Sequence, residues 1–405
     1  MLKHWIWLTT RKGIGPVGRA ALLRLFGSAE RVYGLTREVC RRTEGFEARW
    51  LEGVLDKDLT EAEQILVDCD NKDIHLVCYN MDEYPDRLRN LPDAPVVLYY
   101  RGSLPNFDAE AAIAVVGTRR CSAYGLLHAK QFSRLIAASG GMIVSGGARG
   151  IDTMALRGAL DAKSTVACVL GCGVDVVYPP ENRFLFQDVM AHGCLISEYP
   201  PGTRPDRGNF PTRNRIISGL CVGVLVIEAP EQSGALITAQ HALEQGRDVY
   251  AIPGNIGVKN NEGTNRLLRE GAQMVTDGWD LLSNYTYLFP DKLSDARRKE
   301  SLERIYHARY GNALPVYSPV VEPPEEKKVV DNPPRRNYSD GKEPVLSDDE
   351  RKLLDALKSE PEPADEVIAR SGLPAQRVLA ALTLLQIKRL AARENGNLRK
   401  LDASE

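Results

Sequence analysis

The stretches AIAVVGTRRCSAYG (112–125) and MIVSGGARGIDTMALRGAL (142–160) decide the fold of this chain. In each, a short apolar run ends in glycine and leads into a segment with helical spacing, over 124–139 and 151–160. Apolar strands without polar alternation indicate a parallel sheet that is covered on both faces. The pattern therefore predicts an α/β domain with a Rossmann-like, doubly wound, mostly parallel sheet.

Three more apolar runs extend this sheet along the chain. They are TVACVLG (165–171), VGVLVIEA (222–229) and DVYAIPG (248–254), and helical segments such as 235–245 separate them. The strand–helix alternation runs from Ala112 to about Asp280, and we place the α/β domain that contains it at residues 76–288.

Residues 1–75 predict a small helical domain of the SAM or helix-hairpin-helix type. In RKGIGPVGRAALLRLFGS (11–28) two glycines flank Ile14, and Pro16 stands where a helix can begin. Such a turn presents backbone N–H groups to a nucleic-acid phosphate. An ordinary helical hairpin explains the same residues. The segment 11–42 is basic, with eight Arg or Lys against two Glu.

The C-terminal part divides into a linker and a second small domain. Residues 289–345 are predicted to be a disordered linker, because the stretch 315–344 contains seven prolines and shows no apolar periodicity. Residues 346–405 predict a winged helix: SDDE (347–350) is a capping box, Ser371-Gly372 a turn and Asn395-Gly396 the tip of a hairpin. Since its second helix is mostly apolar, docking to a protein and reading a DNA groove are both open.

Composition excludes several classes of protein. The 405 residues are 43% hydrophobic and 26% charged, with a formal net charge of -2 at pH 7, and the mean hydropathy is -0.28. No apolar run approaches the roughly 18 residues of a membrane helix, and the patch 5–8 is too short for a signal peptide. We expect a cytoplasmic protein without membrane contact.

The eight cysteines and six histidines are scattered, with no CxxC pair and no His/Cys cluster. This pattern predicts thiols that fill a core in a reducing compartment, and neither a metal site nor a cofactor.

The candidate site residues follow the predicted strands, at the edge of an open parallel sheet where ligands bind. Glycines let a backbone approach a ligand, helix starts favour an anion, arginines bind phosphate, and an aromatic ring stacks on a base. The loops carry Gly117, Thr118, Arg119, Gly146, Gly147, Arg149, Arg207, Phe210, Arg213, Asn214, Arg215, Ser233 and Gly234.

Motifs of several enzyme classes are missing from the sequence. It contains no G-x-x-x-x-G-K-[ST] and no G-x-S-x-G, and GGARG (146–150) is not the dinucleotide fingerprint G-x-G-x-x-G. Glu198 and Glu228 follow strands, and each is either catalytic or held by a neighbouring arginine or turn.

In chain order, the loops resemble the motifs of the DNA-processing protein DprA (Smf) family. The similar strings are VGTRRCSAYG, VSGGARGIDTMALRGAL, VLGCGVDVVYPPENRFL, ISEYPPGTRP, NFPTRNRIISGL, SGALITAQHALEQGRDVYAIPGNI and NRLLREGA, within about 75–285. One departure is Leu156, where the family commonly has histidine.

The resemblance implies a protein that binds single-stranded DNA, usually as a homodimer. It also implies that the protein delivers the strand to a RecA-type recombinase in natural transformation and catalyses no reaction. On this sequence it implies a phosphate-binding Arg119, a basic Arg207 and a base-stacking Phe210. The resemblance also implies DNA contacts at Asn214, Ser233, Gly234 and Arg247. Duplex DNA is a second candidate ligand.

Two other functions compete with this one. A nucleotide-binding enzyme related to the phosphoribohydrolases needs a PGGxGTxxE string, and the nearest segment here, QSGALITAQ (232–240), lacks the doubled glycine and the glutamate. A protein-interaction scaffold agrees with the linker and the winged helix, since a linked module meets its partner at high effective concentration.

Overall fold

The strand AIAVV at the start of the deciding stretch runs through the middle of a nine-stranded sheet. The structure is a computed structural model that describes residues 2–293, 299, 346–373, 375–388, 390–394 and 397–401. The chain separates into two units, Met1–Tyr317 and Ser318–Glu405, and each is described by itself.

The first unit begins with six helices and continues as an α/β domain. The helices are α1 (Leu2–Thr10), α2 (Pro16–Phe26), α3 (Ala29–Tyr33), α4 (Arg37–Arg42), α5 (Leu51–Leu55) and α6 (Thr60–Asn71). The α/β part comprises β1 (His75–Cys78), α7 (Asp86–Arg89), β2 (Val97–Gly102), β3 (Ala112–Val116), α8 (Ala123–Ala138), β4 (Met142–Ser145), α9 (Ile151–Asp161), β5 (Val166–Val169), α10 (Arg183–His192), β6 (Gly193–Ser197), α11 (Asn209–Gly219), β7 (Gly223–Val226), α12 (Gly234–Glu244), β8 (Asp248–Ala251), α13 (Glu262–Arg269), β9 (Gln273–Met274) and α14 (Gly278–Leu282).

The sheet has the strand order β1-β2-β6-β5-β4-β3-β7-β8-β9. The seven strands from β6 to β9 are parallel, and β1 and β2 add an antiparallel edge. Since β4 lies on one side of β3 and β7 on the other, the order of the strands reverses between β3 and β7. In this topology the crevice at the reversal, beyond the carboxyl ends of the strands, is the usual ligand position.

Both faces of the sheet are covered, as the continuous apolar strands predicted. Along β3, Ile113 and Val115 join one buried cluster, which also contains residues of α8 and α9. Ala112, Ala114 and Val116 join the other cluster, which contains residues of α11 and α12. The two-residue period of a strand produces this division. The Rossmann-like fold predicted from the sequence is confirmed.

The helical part confirms the predicted helix start at Pro16, which occupies the first position of α2. Gly13 in the preceding turn has a φ of +78°, which glycine adopts without strain. The apolar patch 5–8 lies in α1 and is buried. It belongs to the same cluster as Ile113, so this helical part and the sheet share one core.

Two predictions need adjustment. The sequence predicts the linker at 289–345, but Phe289 and Leu293 are buried in the first unit, and Lys292 forms an ion pair with Glu110. The linker therefore cannot begin before residue 294, and residues 300–345 lie outside the described part of the chain. Seven of the eight cysteines are buried, as predicted, and Cys121 is half-buried.

The second unit has the elements of a winged helix. Its helices are Asp348–Ala356, Ala364–Ser371 and Ala375–Ile387, and its strands are β10 (Glu362–Pro363), β11 (Ala391–Glu394) and β12 (Asn397–Lys400), in the order β10-β12-β11. The predicted capping box is present, because Ser347 Oγ accepts from Glu350 N and the Glu350 carboxylate accepts from Ser347 N. The strands β11 and β12 pair antiparallel, but Asn395 and Gly396 themselves lie outside the described residues.

Candidate nucleic-acid interface

The loops after β3, β4 and β5 meet the first turn of α11 at the carboxyl edge of the sheet. There the guanidinium carbon of Arg119 lies 5.0 Å from the centroid of the Phe210 ring. The ring of Tyr178 lies 5.6 Å from that of Phe210. We call this site the Arg119–Phe210 pocket; its lining residues are Arg119, Gly146, Ala148, Arg149, Tyr178, Pro179 and Phe210. Two arginine side chains and two aromatic rings thus share one small surface pocket.

The position of the Phe210 ring is set from below by Gly171, which follows β5. A Cβ on residue 171 would lie 2.8 Å from the Phe210 Cδ1 atom, so only glycine lets the ring rest there. Phe210 itself is half-buried, whereas Arg119 is exposed. The ring is therefore fixed by the protein while part of it stays open to a ligand.

The loop that carries Arg119 is held by Glu228, the buried residue that follows β7. The Glu228 carboxylate accepts from Ser122 N at 2.8 Å and from Ser122 Oγ at 2.5 Å. Its backbone oxygen accepts from Thr118 N at 2.8 Å. Ser122 Oγ also accepts from Gly125 N and so caps α8. The sequence allows Glu228 either a catalytic role or a structural role in a turn, and these contacts support the structural role.

The glycine before Arg119 is required by packing. A Cβ at Gly117 would lie 2.5 Å from Ile151 Cγ1, at the start of α9. Thr118 is buried, and its Oγ1 accepts from Arg120 N at 3.3 Å. Both residues therefore shape the loop that presents Arg119.

Arg213 is buried and does not face the surface, which corrects its prediction as a DNA contact. Its Nη1 donates to the oxygen of Gly146 at 2.8 Å and to that of Val169. Beside it, Asp152 accepts from Ala148 N at 3.2 Å. Burial raises the pKa of Asp152 to about 6, against the opposing effect of Arg213. Burial also lowers the pKa of Arg213. This pair fixes the loop after β4 from the inside.

Arg215, in the second turn of α11, is also buried, and its prediction as a DNA contact is corrected in the same way. Its Nη2 lies 2.6 Å from Glu198 Oε2, and its Nε lies 3.2 Å from Asp93 Oδ2. Burial by itself would lower the pKa of Arg215, because it disfavours the charged guanidinium. The attraction of these two carboxylates is stronger, so the pKa of Arg215 is raised. Glu198 is thereby engaged in a structural ion pair.

Arg247 lies at the opposite edge of the sheet, because it directly precedes the first residue of β8. Its Nη2 donates to the backbone oxygens of Arg87, at 3.3 Å, and Gly219, at 3.4 Å. Arg247 therefore lies away from the Arg119–Phe210 pocket, and the implied DNA contact at Arg247 stays a prediction. Sequence similarity showed a basic position but not the end of the strand at which it stands.

The start of α12 is tied to α11 by Asn214, which is buried and whose Nδ2 donates to the oxygen of Gly234 at 3.2 Å. Ser233 caps α12 by accepting from Ala235 N at 3.3 Å. Gly234 is exposed, and a Cβ there would meet nothing within 4 Å. The backbone at the start of this helix is therefore open to a ligand.

The remaining predicted residues lie on or under the loops. Arg207 is exposed three residues before Phe210. Arg149 is exposed and pairs with the exposed Glu181 at 2.6 Å. Gly146 and Gly147 are buried; a Cβ on Gly146 would lie 2.7 Å from Arg213 Nη2, and Gly147 has a φ of +66°. These glycines shape the loop after β4.

Tyr178 is a site residue that the sequence did not single out. The string YPPEN (178–182) stands after β5, where ligand-binding loops occur. An aromatic residue in that position was the available signal, but nothing in the sequence showed that its ring reaches Phe210.

Leu156, where the related family commonly has histidine, is fully buried on α9. It belongs to the cluster that covers one face of the sheet, so the change places an apolar side chain in the core.

The described residues also bear on two other properties, metal binding and membrane crossing. No group of three or more His, Cys, Asp or Glu side chains among them is placed to hold a metal ion. None of the described helices has both the length and the apolar character needed to cross a membrane.

Comparison with known proteins identifies the class. The sequence model of the family "DNA recombination-mediator protein A" matches residues 75–286. That of the "DprA winged helix domain" matches residues 339–397. Both matches agree with the domains described above.

Individual relatives support the same class. Protein Smf of Synechocystis sp. is 32% identical over 407 residues, which cover 97% of either chain. The DNA processing protein DprA of Streptococcus pneumoniae is 45% identical over 209 residues, 51% of this chain and 72% of the relative. The X-ray structure of DprA from S. pneumoniae aligns with a TM-score of 0.61 at 33% identity, covering 70% of this chain and 98% of the other.

The fold and site thus define a DNA recombination mediator with a Rossmann-like domain and a winged helix. The chain belongs to the DprA (Smf) family.

Proposed function

We propose that this protein binds single-stranded DNA, independently of sequence, across the Arg119–Phe210 pocket. The observation that carries the proposal is the exposed Arg119 guanidinium above the half-open ring of Phe210, 5.0 Å from its centroid. Proteins that hold single strands without reading sequence combine cationic grooves with aromatic platforms, since every base has a face that can stack. In this proposal a base stacks at Phe210 and Arg119 binds the adjacent phosphate.

Other exposed groups at the same rim extend the path of the backbone. Arg207 precedes the pocket, and Arg149 lines it. Arg149 is paired with Glu181 on the surface, where such a pair is worth little and a phosphate can replace the carboxylate. The open start of α12 at Gly234 adds the positive end of a helix dipole, which suits an anion.

We further propose that the protein works as a homodimer, passes the strand to a RecA-type recombinase and catalyses no reaction. The family's description as a recombination mediator supports the hand-over. The absence of a reaction is supported by the two carboxylates that follow strands at this rim. Glu198 is engaged by Arg215, and Glu228 by Ser122. Neither is free to act as a general acid or base.

The phosphoribohydrolase alternative finds no support at the site. The segment 232–240 forms the start of α12 and brings no carboxylate there. Incubation with AMP should release no base above the rate of buffer alone, and release at enzyme-like rates would revive this function. The scaffold alternative applies to the winged helix and is compatible with strand binding by the first unit.

Fluorescence anisotropy with labelled single-stranded oligo-dT and a duplex of equal length tests the proposal. Measurements at 50 and 200 mM salt should show tighter binding to the single strand and a steep loss with salt, because neutralised phosphates release counterions. Equal affinity for both forms, or binding indifferent to salt, would contradict it.

A further inference from the structure

The loop that follows β8, residues 252–261, lies beside the Arg119–Phe210 pocket and has no part in the contacts proposed so far. Its first half is fixed at two points. Tyr124 Oη, on the first turn of α8, donates to the oxygen of Pro253 at 3.0 Å. Asn265 Nδ2 donates to the oxygen of Gly254 at 3.0 Å and its Oδ1 accepts from Gly254 N at 3.1 Å.

Its second half is attached to the loop that carries Arg119. Asn260 Nδ2 donates to the oxygen of Arg120, the next residue, at 2.9 Å. Just beyond the loop, Gly263 N donates to the oxygen of Ala229, which follows β7, at 2.8 Å. The loop after β8 is thus continuous with the loops at the strand reversal, on the side away from Phe210.

The middle of this loop, residues 254–259, projects apolar and basic side chains into solvent. Ile256 is 98% exposed and Val258 is 42% exposed. The cations Arg120 and Lys259 are also exposed at this place. Ile256 differs from apolar residues scattered singly on a surface, because its loop also carries the exposed Lys259 and is bonded to the backbone of the exposed Arg120. These side chains suit a ligand that is both apolar and anionic. A single strand, with its bases and phosphates, has that chemistry.

We propose that the bound strand continues from the Arg119–Phe210 pocket across the strand reversal onto the 254–259 loop. There Ile256 packs against a base, or wedges between two, while Arg120 and Lys259 neutralise phosphates. Apolar side chains act as such wedges between bases in other nucleic-acid complexes. This inference rests on the proposed function, since it extends the same site by several nucleotides.

Oligonucleotide length separates this second contact from the first. Site sizes of single-strand binding folds span about 4 to 16 nucleotides. We expect Ile256→Ala to weaken binding of a 20-nucleotide oligo-dT about 3- to 20-fold, and to leave a 5-nucleotide oligo-dT, which fills only the pocket, within about 1.5-fold of the parent. Lys259→Ala should give the same dependence on length. Val67→Ala, which alters an exposed apolar residue on α6, is the matched control.

A 2-aminopurine base placed in turn along the 20-nucleotide strand supplies a second readout. At one position well separated from the Phe210 contact, its fluorescence should differ between the parent and Ile256→Ala. If both variants bind the long strand like the parent and no position responds, the extension is wrong. The extension is equally wrong if Ile256→Asp lowers the molar mass of the DNA-free protein in light scattering, because the loop would then join two copies. Failure of Phe210→Ala to weaken even the short strand would instead refute the proposed function.

Discussion

Truncation of Phe210 to alanine is the sharpest test of the pocket. The change removes the surface on which a base stacks and the ring over which Arg119 rests at 5.0 Å. Stacking on an aromatic side chain is worth about 1–3 kcal/mol per base. Since about 1.4 kcal/mol corresponds to tenfold in Kd, we expect Phe210→Ala to weaken oligo-dT binding about 5- to 150-fold.

The salt dependence distinguishes stacking from charge. Phe210 carries no charge, so the slope of log K against log salt should be the same for Phe210→Ala as for the parent. Anisotropy titrations at four salt concentrations measure affinity and slope together. Phe210→Trp keeps a flat ring and should retain most of the affinity. Tyr287→Ala is the control, because Tyr287 is 77% exposed and lies near the opposite edge of the sheet.

Stability must be measured beside binding, because Phe210 is half-buried against Gly171. A buried Phe→Ala change costs about 3–5 kcal/mol in a core, and we expect about half of that here. Urea unfolding of each variant gives this value. The reasoning is refuted if Phe210→Ala is folded and binds oligo-dT as tightly as the parent, or if it loses affinity only through a smaller salt slope.

Three further predictions follow from single residues. Arg119→Ala should make the slope of log K against log salt less steep by about 0.7, the contribution of one phosphate on a single strand. Arg157→Ala, which changes an exposed residue on α9, is the control and should leave the slope unchanged. Equal slopes in the parent and both variants would contradict the assignment of Arg119 to a phosphate. The pKa of buried Asp152 is about 6 in the folded state against 3.8 as its ordinary value. The folded state therefore binds this proton more tightly. As pH falls from 7 to 4, the parent should gain on the order of 2 kcal/mol in free energy of unfolding relative to Asp152→Asn. Urea unfolding at both pH values checks this, and the same pH dependence in both proteins would exclude the raised pKa. Ser347→Ala removes the capping box of the helix Asp348–Ala356 and should lower the stability of the second unit by about 1 kcal/mol. Amide hydrogen exchange in 348–356 of the full chain should then be faster than in the parent. Unchanged exchange would mean that the cap does not stabilise this helix.

The sequence by itself determined the type and order of the main elements. Continuous apolar strands that end in glycine can be buried only in a parallel sheet with two covered faces, and β3, β4 and β5 formed where such runs stand. Local chemistry also located helix starts correctly, at Pro16 and at Ser347. The order of strands and loops in the sequence also predicted Arg119 and Phe210 at the ligand-binding edge, because loops that follow parallel strands share that edge.

Only the tertiary structure decided which side chains reach that edge. Arg213 and Arg215 are close to Phe210 in sequence, but α11 turns both guanidinium groups into the protein, where they bind backbone oxygens or carboxylates. Arg247 stands at the other end of its strand. The contact between Tyr178 and Phe210 joins a loop to the first turn of α11, 32 positions further along the chain. Burial and direction arise from packing between distant segments, and a linear pattern contains neither.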